Sequence, residues 1–168
     1  SEYIEAIRSA EDNFDKLSNL RPELDANGNP VMSSGNFAVV FKMKDIETGK
    51  MYAVKCFTRE QEEREERYRE IIKVLEQVKS PYFVSAHYYD RELFVDTTQG
   101  DETEFPVLVM DWVEGVPLDE YMKSIADNQF YRELLASRFQ KLVCWLLPQP
   151  FAHGDIKPDN IIPQIRNL

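Results

Sequence analysis

Between Glu2 and Leu20 the apolar residues Ile4, Ile7, Phe14, Leu17 and Leu20 recur among charges at helical intervals, which predicts one amphipathic helix packed on the main body. The turn formers Asp25-Ala26-Asn27-Gly28-Asn29-Pro30 follow and predict a strand end before them and a strand start after them. Ser33 to Phe41, continued through Lys44, and Met51 to Phe57 are β-rich runs on either side of Asp45-Ile46-Glu47-Thr48-Gly49-Lys50. They predict an antiparallel hairpin. In its second strand a period of two sets Ala53, Lys55 and Phe57 on one face. A lysine there, among apolar neighbours, needs an anionic partner or a route to water.

From Thr58 to Val78 a charged segment ends in Ile71, Val74, Leu75 and Val78, spacings that predict a helix with an exposed face of Glu and Arg pairs. Tyr82 to Val84, Ala86 to Tyr89 and Leu93 to Val95 predict sheet strands, and the acidic stretch Asp96 to Glu104 a mobile loop. Phe105 to Met110 predicts a buried strand running into Asp111-Trp112-Val113-Glu114-Gly115. Beyond it the pattern turns helical. Pro117 suits a first turn for Leu118 to Ile125, and Asn128 to Leu147 carries a broad apolar stripe for a core helix, stopped by Pro148-Gln149-Pro150.

Length and composition narrow this picture to one domain, or two small lobes, of an ordinary soluble protein. A net charge of -10 argues against nucleic acid as a partner. No apolar run approaches a membrane span and Ser1-Glu2-Tyr3-Ile4 does not resemble a signal peptide, so the cytoplasm is expected. Cys56 and Cys144, both in apolar runs, read as buried free thiols and not as a disulfide or metal framework.

The chemistry concentrates near the end, in His153-Gly154-Asp155-Ile156-Lys157-Pro158-Asp159-Asn160, followed by Ile161 and Ile162. An acid, a cation and an amide within six residues can hold a hydroxyl, a phosphate and a magnesium ion together. The stretch resembles the catalytic loop of protein kinases. Upstream, Gly35, Phe37 and Val40, then Ala53 and Lys55, resemble that family's glycine-rich loop and third-strand Ala-x-Lys, with Val40 and Lys55 fifteen residues apart.

The resemblance implies an α+β fold: an antiparallel β-sheet N-lobe with one bridging helix over residues 25–113, and a partial helical C-lobe over 114–168. A helical extension occupies 1–24. It implies ATP and Mg²⁺ as cofactors and phosphoryl transfer to Ser/Thr hydroxyls. Asp155 would accept the hydroxyl proton, Lys157 would offset γ-phosphate charge, and Asn160 would give its amide oxygen to Mg²⁺. Gly35 and Phe37 would close over the phosphates, Val40 would cover adenine, and Lys55 would hold phosphate. Met110 would be the gatekeeper, with the backbones of Asp111 and Val113 facing adenine. The bridging helix would pair Lys55 with Glu70, or with Glu66 one turn earlier; ungapped alignment on Val78 and Pro81 sets Ile71 at that position.

Ser33 and Ala38 stand where the family usually has glycines, and Gly154 replaces the commoner arginine that receives an activation-loop phosphate. A Gly-Asp pair is also similar to aminoglycoside-type small-molecule phosphotransferases, whereas Lys157-Pro158 is similar to Ser/Thr protein kinases. The nearest resemblance is to bacterial eukaryotic-like Ser/Thr kinases with a His-Gly-Asp loop. Only eight residues follow Asn160, without an Asp-Phe-Gly segment. The expectation is a kinase-like chain truncated before that segment, binding ATP weakly and inactive in transfer; the alternative is a non-catalytic, pseudokinase-like interaction module. Expected partners are a nucleotide, a protein substrate or partner, and a second copy through the exposed C-lobe face, with no membrane.

Overall fold

Alternating side chains between Ala38 and Phe57 give the sheet two different faces, and each face takes a different neighbour. The computed structural model describes residues 2–35, 38–58, 64–78, 80–97, 103–152, 154 and 156–165, with only the backbone of Arg64 and Glu65 described. They fall into two compact units, Ser1–Trp112 and Val113–Leu168.

The first unit carries α1 (Glu2–Arg8), α2 (Ala10–Asn13), β1 (Leu20–Pro22), β2 (Met32–Ser34), β3 (Ala38–Asp45), β4 (Met51–Phe57), α3 (Arg64–Gln77), β5 (Ala86–Phe94) and β6 (Glu104–Asp111). The strands form one antiparallel sheet in the order β1-β3-β4-β6-β5, with β2 also beside β3. The β3–β4 turn is fixed by its own residues. Asp45 Oδ1 accepts the Glu47 and Thr48 N–H groups at 2.8 and 3.1 Å, and Gly49 takes a left-handed φ of 73° that an L side chain resists. The hydrogen bond from the Thr48 N–H leads the effects that hold the Asp45 carboxyl below its ordinary range, against the opposing cost of burial.

One face of the sheet bears Val39, Phe41, Met43, Val54, Cys56, Val107 and Val109, and this is where the core sits. Ile7, Ala10 and Phe14 of the N-terminal segment join that cluster. Cys56 is buried as expected, and burial pushes its thiol well above its ordinary pKa, whereas Cys144, also expected to be buried, is exposed because among the described residues nothing covers its stretch of helix. On the opposite face, α3 lays Tyr68 against Phe57 of β4 and Tyr88 of β5, with centroids 5.3 and 5.5 Å away.

Four sequence expectations for this unit's elements change. The single helix to Leu20 is instead α1 and α2, ending at Asn13, after which Phe14 is extended and bridges Leu93, and Leu20 opens β1. A partner outside the helix wins the backbone: Glu92 Oε1 accepts the N–H groups of Lys16 and Leu17, and its carbonyl accepts that of Asp15. Tyr82 to Val84 is not a strand, because Ser80 Oγ takes the Tyr82 and Phe83 N–H groups at 3.0 and 3.1 Å. Ala86 to Phe94 is one strand with a register shift between Tyr89 and Leu93, where Arg91 has a φ of 50°. On α3 the half-buried line is Tyr68, Ile72, Leu75 and Val78; Ile71 is 50% exposed and Val74 is exposed too. The aromatic contact of Tyr68 turns the helix from the orientation that Ile71 and Val74 suggested. The loop expected at 96–104 falls largely on residues outside those described.

The second unit holds α4 (Leu118–Ser124), α5 (Gln129–Leu146) and a 3-10 turn, Pro158–Asn160. Asn128 caps α5 by accepting the Tyr131 N–H at 3.2 Å. The stripe predicted to be core is only partly covered: no residue of α5 is buried, and Phe130, Phe139 and Val143 are exposed. The 7-residue α4 and the short turn at Pro158–Asn160 present too little apolar surface to enclose it. Among the described residues no helix is long and apolar enough to cross a membrane.

Candidate active site

Strand register decides which side chains can share one face. Val40 pairs with Lys55, Lys42 with Ala53, Ala53 with Met110, and Lys55 with Leu108. Paired residues point to the same side of a sheet, so Val40, Ala53, Lys55, Leu108 and Met110 form a contiguous patch. It lies opposite the core, on the face that α3 approaches at Phe57 and Tyr88. Ala53 and Leu108 are buried, while Val40, Lys55 and Met110 remain half-buried and reachable. The Lys55 ammonium lies 5.7 Å from the Phe57 ring centroid, and Lys42 from the same face sits 4.8 Å over the Trp112 ring.

Gly35 precedes β3 and donates its N–H to the Ala38 carbonyl at 2.9 Å. Among the described residues a Cβ built there would meet that oxygen alone, at 3.7 Å, which is ordinary contact, so their packing does not require glycine at this position. Phe37 lies outside the described residues. Glu70 and Glu66 are both exposed on α3, and among the described residues no ion pair joins either to Lys55.

At the end of β6 the Asp111 N–H is taken by the Ser85 carbonyl and the Trp112 N–H by that of Met51, each at 3.1 Å. The Asp111 carboxylate binds Lys50 Nζ at 2.8 Å and is the main cause of a raised pKa for that ammonium. Val113 opens the second unit, and no backbone hydrogen bond to its N–H occurs among the described residues.

In the second unit the loop is built from short-range bonds. Lys157 is extended, and its carbonyl accepts the Asn160 N–H at 3.0 Å, closing the turn that Pro158 begins. Lys157 and Asn160 are both exposed, three residues apart. Gly154 has a φ of 76°, a conformation that suits glycine. His153 and Asp155 lie outside the described residues. Downstream, the Ile161 carbonyl accepts the Leu118 N–H at 2.9 Å, and Gln164 Nε2 donates to the Glu114 carbonyl at 2.9 Å. Gly115, with a φ of 136°, leaves room for Ile162, whose Cγ2 is 2.7 Å from where a Cβ would stand. These ties fix the exit of the loop to the start of α4. Sequence reading missed Gln164, since a lone glutamine carries no pattern. Among the described residues no three His, Cys, Asp or Glu side chains gather as a metal site.

Comparison with known proteins bears directly on this arrangement. The protein kinase domain model matches residues 29–167. The chain is 30% identical over 140 residues to serine/threonine-protein kinase cds1 of Schizosaccharomyces pombe, covering 78% of this chain and 28% of that protein. It is 24% identical over 139 residues to serine/threonine-protein kinase CG17528 of Drosophila melanogaster, covering 80% of this chain and 17% of that protein. The chain thus spans less than a third of the length of these curated relatives. With a family match across most of its residues and a sheet of the corresponding architecture, the chain belongs to the protein kinase domain family.

Proposed function

We propose that this chain is the nucleotide-binding portion of a Ser/Thr protein kinase domain, taking ATP against the exposed face of its sheet. The observation that carries the reading is the patch of Val40, Ala53, Lys55 and Met110, which strand register assembles from three separate strands. Its chemistry suits ATP. Val40, Ala53 and Met110 offer an apolar surface for a flat purine, and Lys55 offers the cation that a polyphosphate needs in a chain of net charge -10. The glycine at Gly35, which the packing of the described residues does not demand, is consistent with backbone approach to phosphate oxygens.

When bound, Mg²⁺ would neutralise phosphate charge. Asn160, an exposed residue, carries an amide oxygen of the hard-donor type that ion prefers, and Lys157, also exposed, carries a cation suited to the transferred group. Asp155 is assigned the proton of the attacking hydroxyl by its place in the motif. The backbones of Asp111 and Val113 are assigned to adenine by their place in the motif. For a polypeptide of these 168 residues, which hold no Asp-Phe-Gly motif, we expect weak ATP binding with little Mg²⁺ dependence and no measurable transfer.

Calorimetric titration with ATP, with and without Mg²⁺, tests this on the wild type and on Lys55→Met. The wild type should bind and the variant should bind at least about 10-fold more weakly, as expected for loss of a charge-assisted contact worth about 1.5–3 kcal/mol. Equal affinity of the two proteins would remove Lys55 from the site. Absence of wild-type binding at millimolar ATP would refute the reading as a whole. The second reading is a non-catalytic, interaction-only module, which Ser33 and Ala38, standing where the family usually has glycines, favour. Transfer of phosphate to a generic protein substrate would exclude it.

A further inference from the structure

The residues before position 29 lie outside the kinase-domain match, yet they are built into the first unit and reach the strand that bears Lys55. Tyr3 on α1 donates its phenol to the Phe57 carbonyl at 2.7 Å, across 54 residues of sequence. Its ring also stands edge-on to Phe105 of β6, with centroids 5.9 Å apart at 76°. Ala6 and Ile7 of α1 are buried, so the helix that offers this phenol is itself anchored.

Phe57 is the last residue of β4, and its pairing with Ala38 is the last of the β3–β4 ladder. A strand end held only by its ladder frays. Here the terminal carbonyl has a donor from another element. The Phe57 ring lies on the Lys55 face, 5.7 Å from the Lys55 ammonium and 5.3 Å from Tyr68 of α3. Tyr68 stacks on Tyr88 of β5 at 5.5 Å, with rings within 5° of parallel. A continuous line of contacts therefore runs from α1, through the end of β4, to the helix that packs over the Lys55 face.

We propose that Tyr3 is a positioning residue: by holding the Phe57 carbonyl it braces the Lys55 end of β4 and, through the Phe57–Tyr68 contact, the placement of α3. Its consequence for nucleotide rests on the reading of Lys55 given above; the brace itself does not. The N-terminal segment is then a working part of the domain, and disturbing it changes the site from the far face of the sheet.

Tyr3→Phe tests this on the whole chain, because it keeps the ring and its edge contact and deletes only the donor. Amide hydrogen exchange over residues 64–77 should quicken about 3- to 10-fold, the range for one lost hydrogen bond. ATP affinity should fall by a similar factor. In a Tyr68→Leu background, or in Phe57→Leu if the first is poorly folded, Tyr3→Phe should add little to exchange in α3. Unchanged exchange over residues 64–77 in Tyr3→Phe overturns the brace, as does an effect of full size in both backgrounds. Faster exchange with unchanged ATP affinity overturns the link to Lys55. If the wild type fails to bind ATP, the nucleotide reading falls, and the exchange data alone decide the brace.

Discussion

Glu92 is the residue whose replacement separates two physical effects cleanly. It is 2% exposed, and a single carboxylate oxygen accepts the N–H groups of Lys16 and Leu17 at 2.7 and 2.8 Å. In Glu92→Ala both donors lose their acceptor, at about 1–3 kcal/mol each. Both bonds are only part-buried, so water satisfies some of the loss, and we expect about 2–4 kcal/mol of destabilisation at pH 7. Glu92→Gln keeps an amide oxygen for the same donors and discards the charge. Burial is the leading cause that raises the Glu92 pKa above its ordinary 4.5, outweighing the two N–H groups that lower it. From 4.5 up to the higher folded value the native state holds more protons than the unfolded chain, so stability falls as pH rises through that window. Glu92→Gln does not have this loss, so its stability relative to wild type should grow from pH 4.5 upward and then level off. The measurement is urea unfolding from pH 4 to 8. A Trp145→Phe background leaves Trp112 as the sole tryptophan, reporting the first unit. If Gln proves as harmful as Ala at pH 7, the charge and not the acceptor holds the N-terminal segment, and the reasoning fails.

Two further outcomes follow from packing. Gly115→Ala puts a Cβ 2.7 Å from Ile162 Cγ2 at a φ of 136°, and backbone strain with overlap should cost about 2–5 kcal/mol; urea unfolding followed at Trp145 in the second unit reads it. Phe41→Ala empties a fully buried site at the centre of the core and should cost about 3–5 kcal/mol with little change in the urea m value, seen at Trp112.

Local pattern carried much of this protein. The hairpin of β3 and β4 was legible because alternation, a Gly-bearing turn and β-branched residues all agree over Ala38 to Phe57. The same period of two placed Ala53 and Lys55 on one face. The loop of Lys157, Pro158 and Asn160 was legible because a turn is made by its own residues, and the family followed from those motifs taken in order. What the pattern could not hold is any bond whose partner is distant. Leu17 and Leu20 kept helical spacing, yet Glu92, more than seventy residues on, draws the Lys16 and Leu17 N–H groups out of the helix. Ile71 and Val74 looked like the buried stripe of α3, yet stacking of Tyr68 on Tyr88 turns another line of residues inward. The resemblance named Met110 as gatekeeper, but only the pairing of β4 with β6 sets it beside Ala53. Spacing along a chain records local periodicity, whereas the sheet face, the rotation of a helix and the fate of a backbone N–H are settled by residues that meet only when the chain folds.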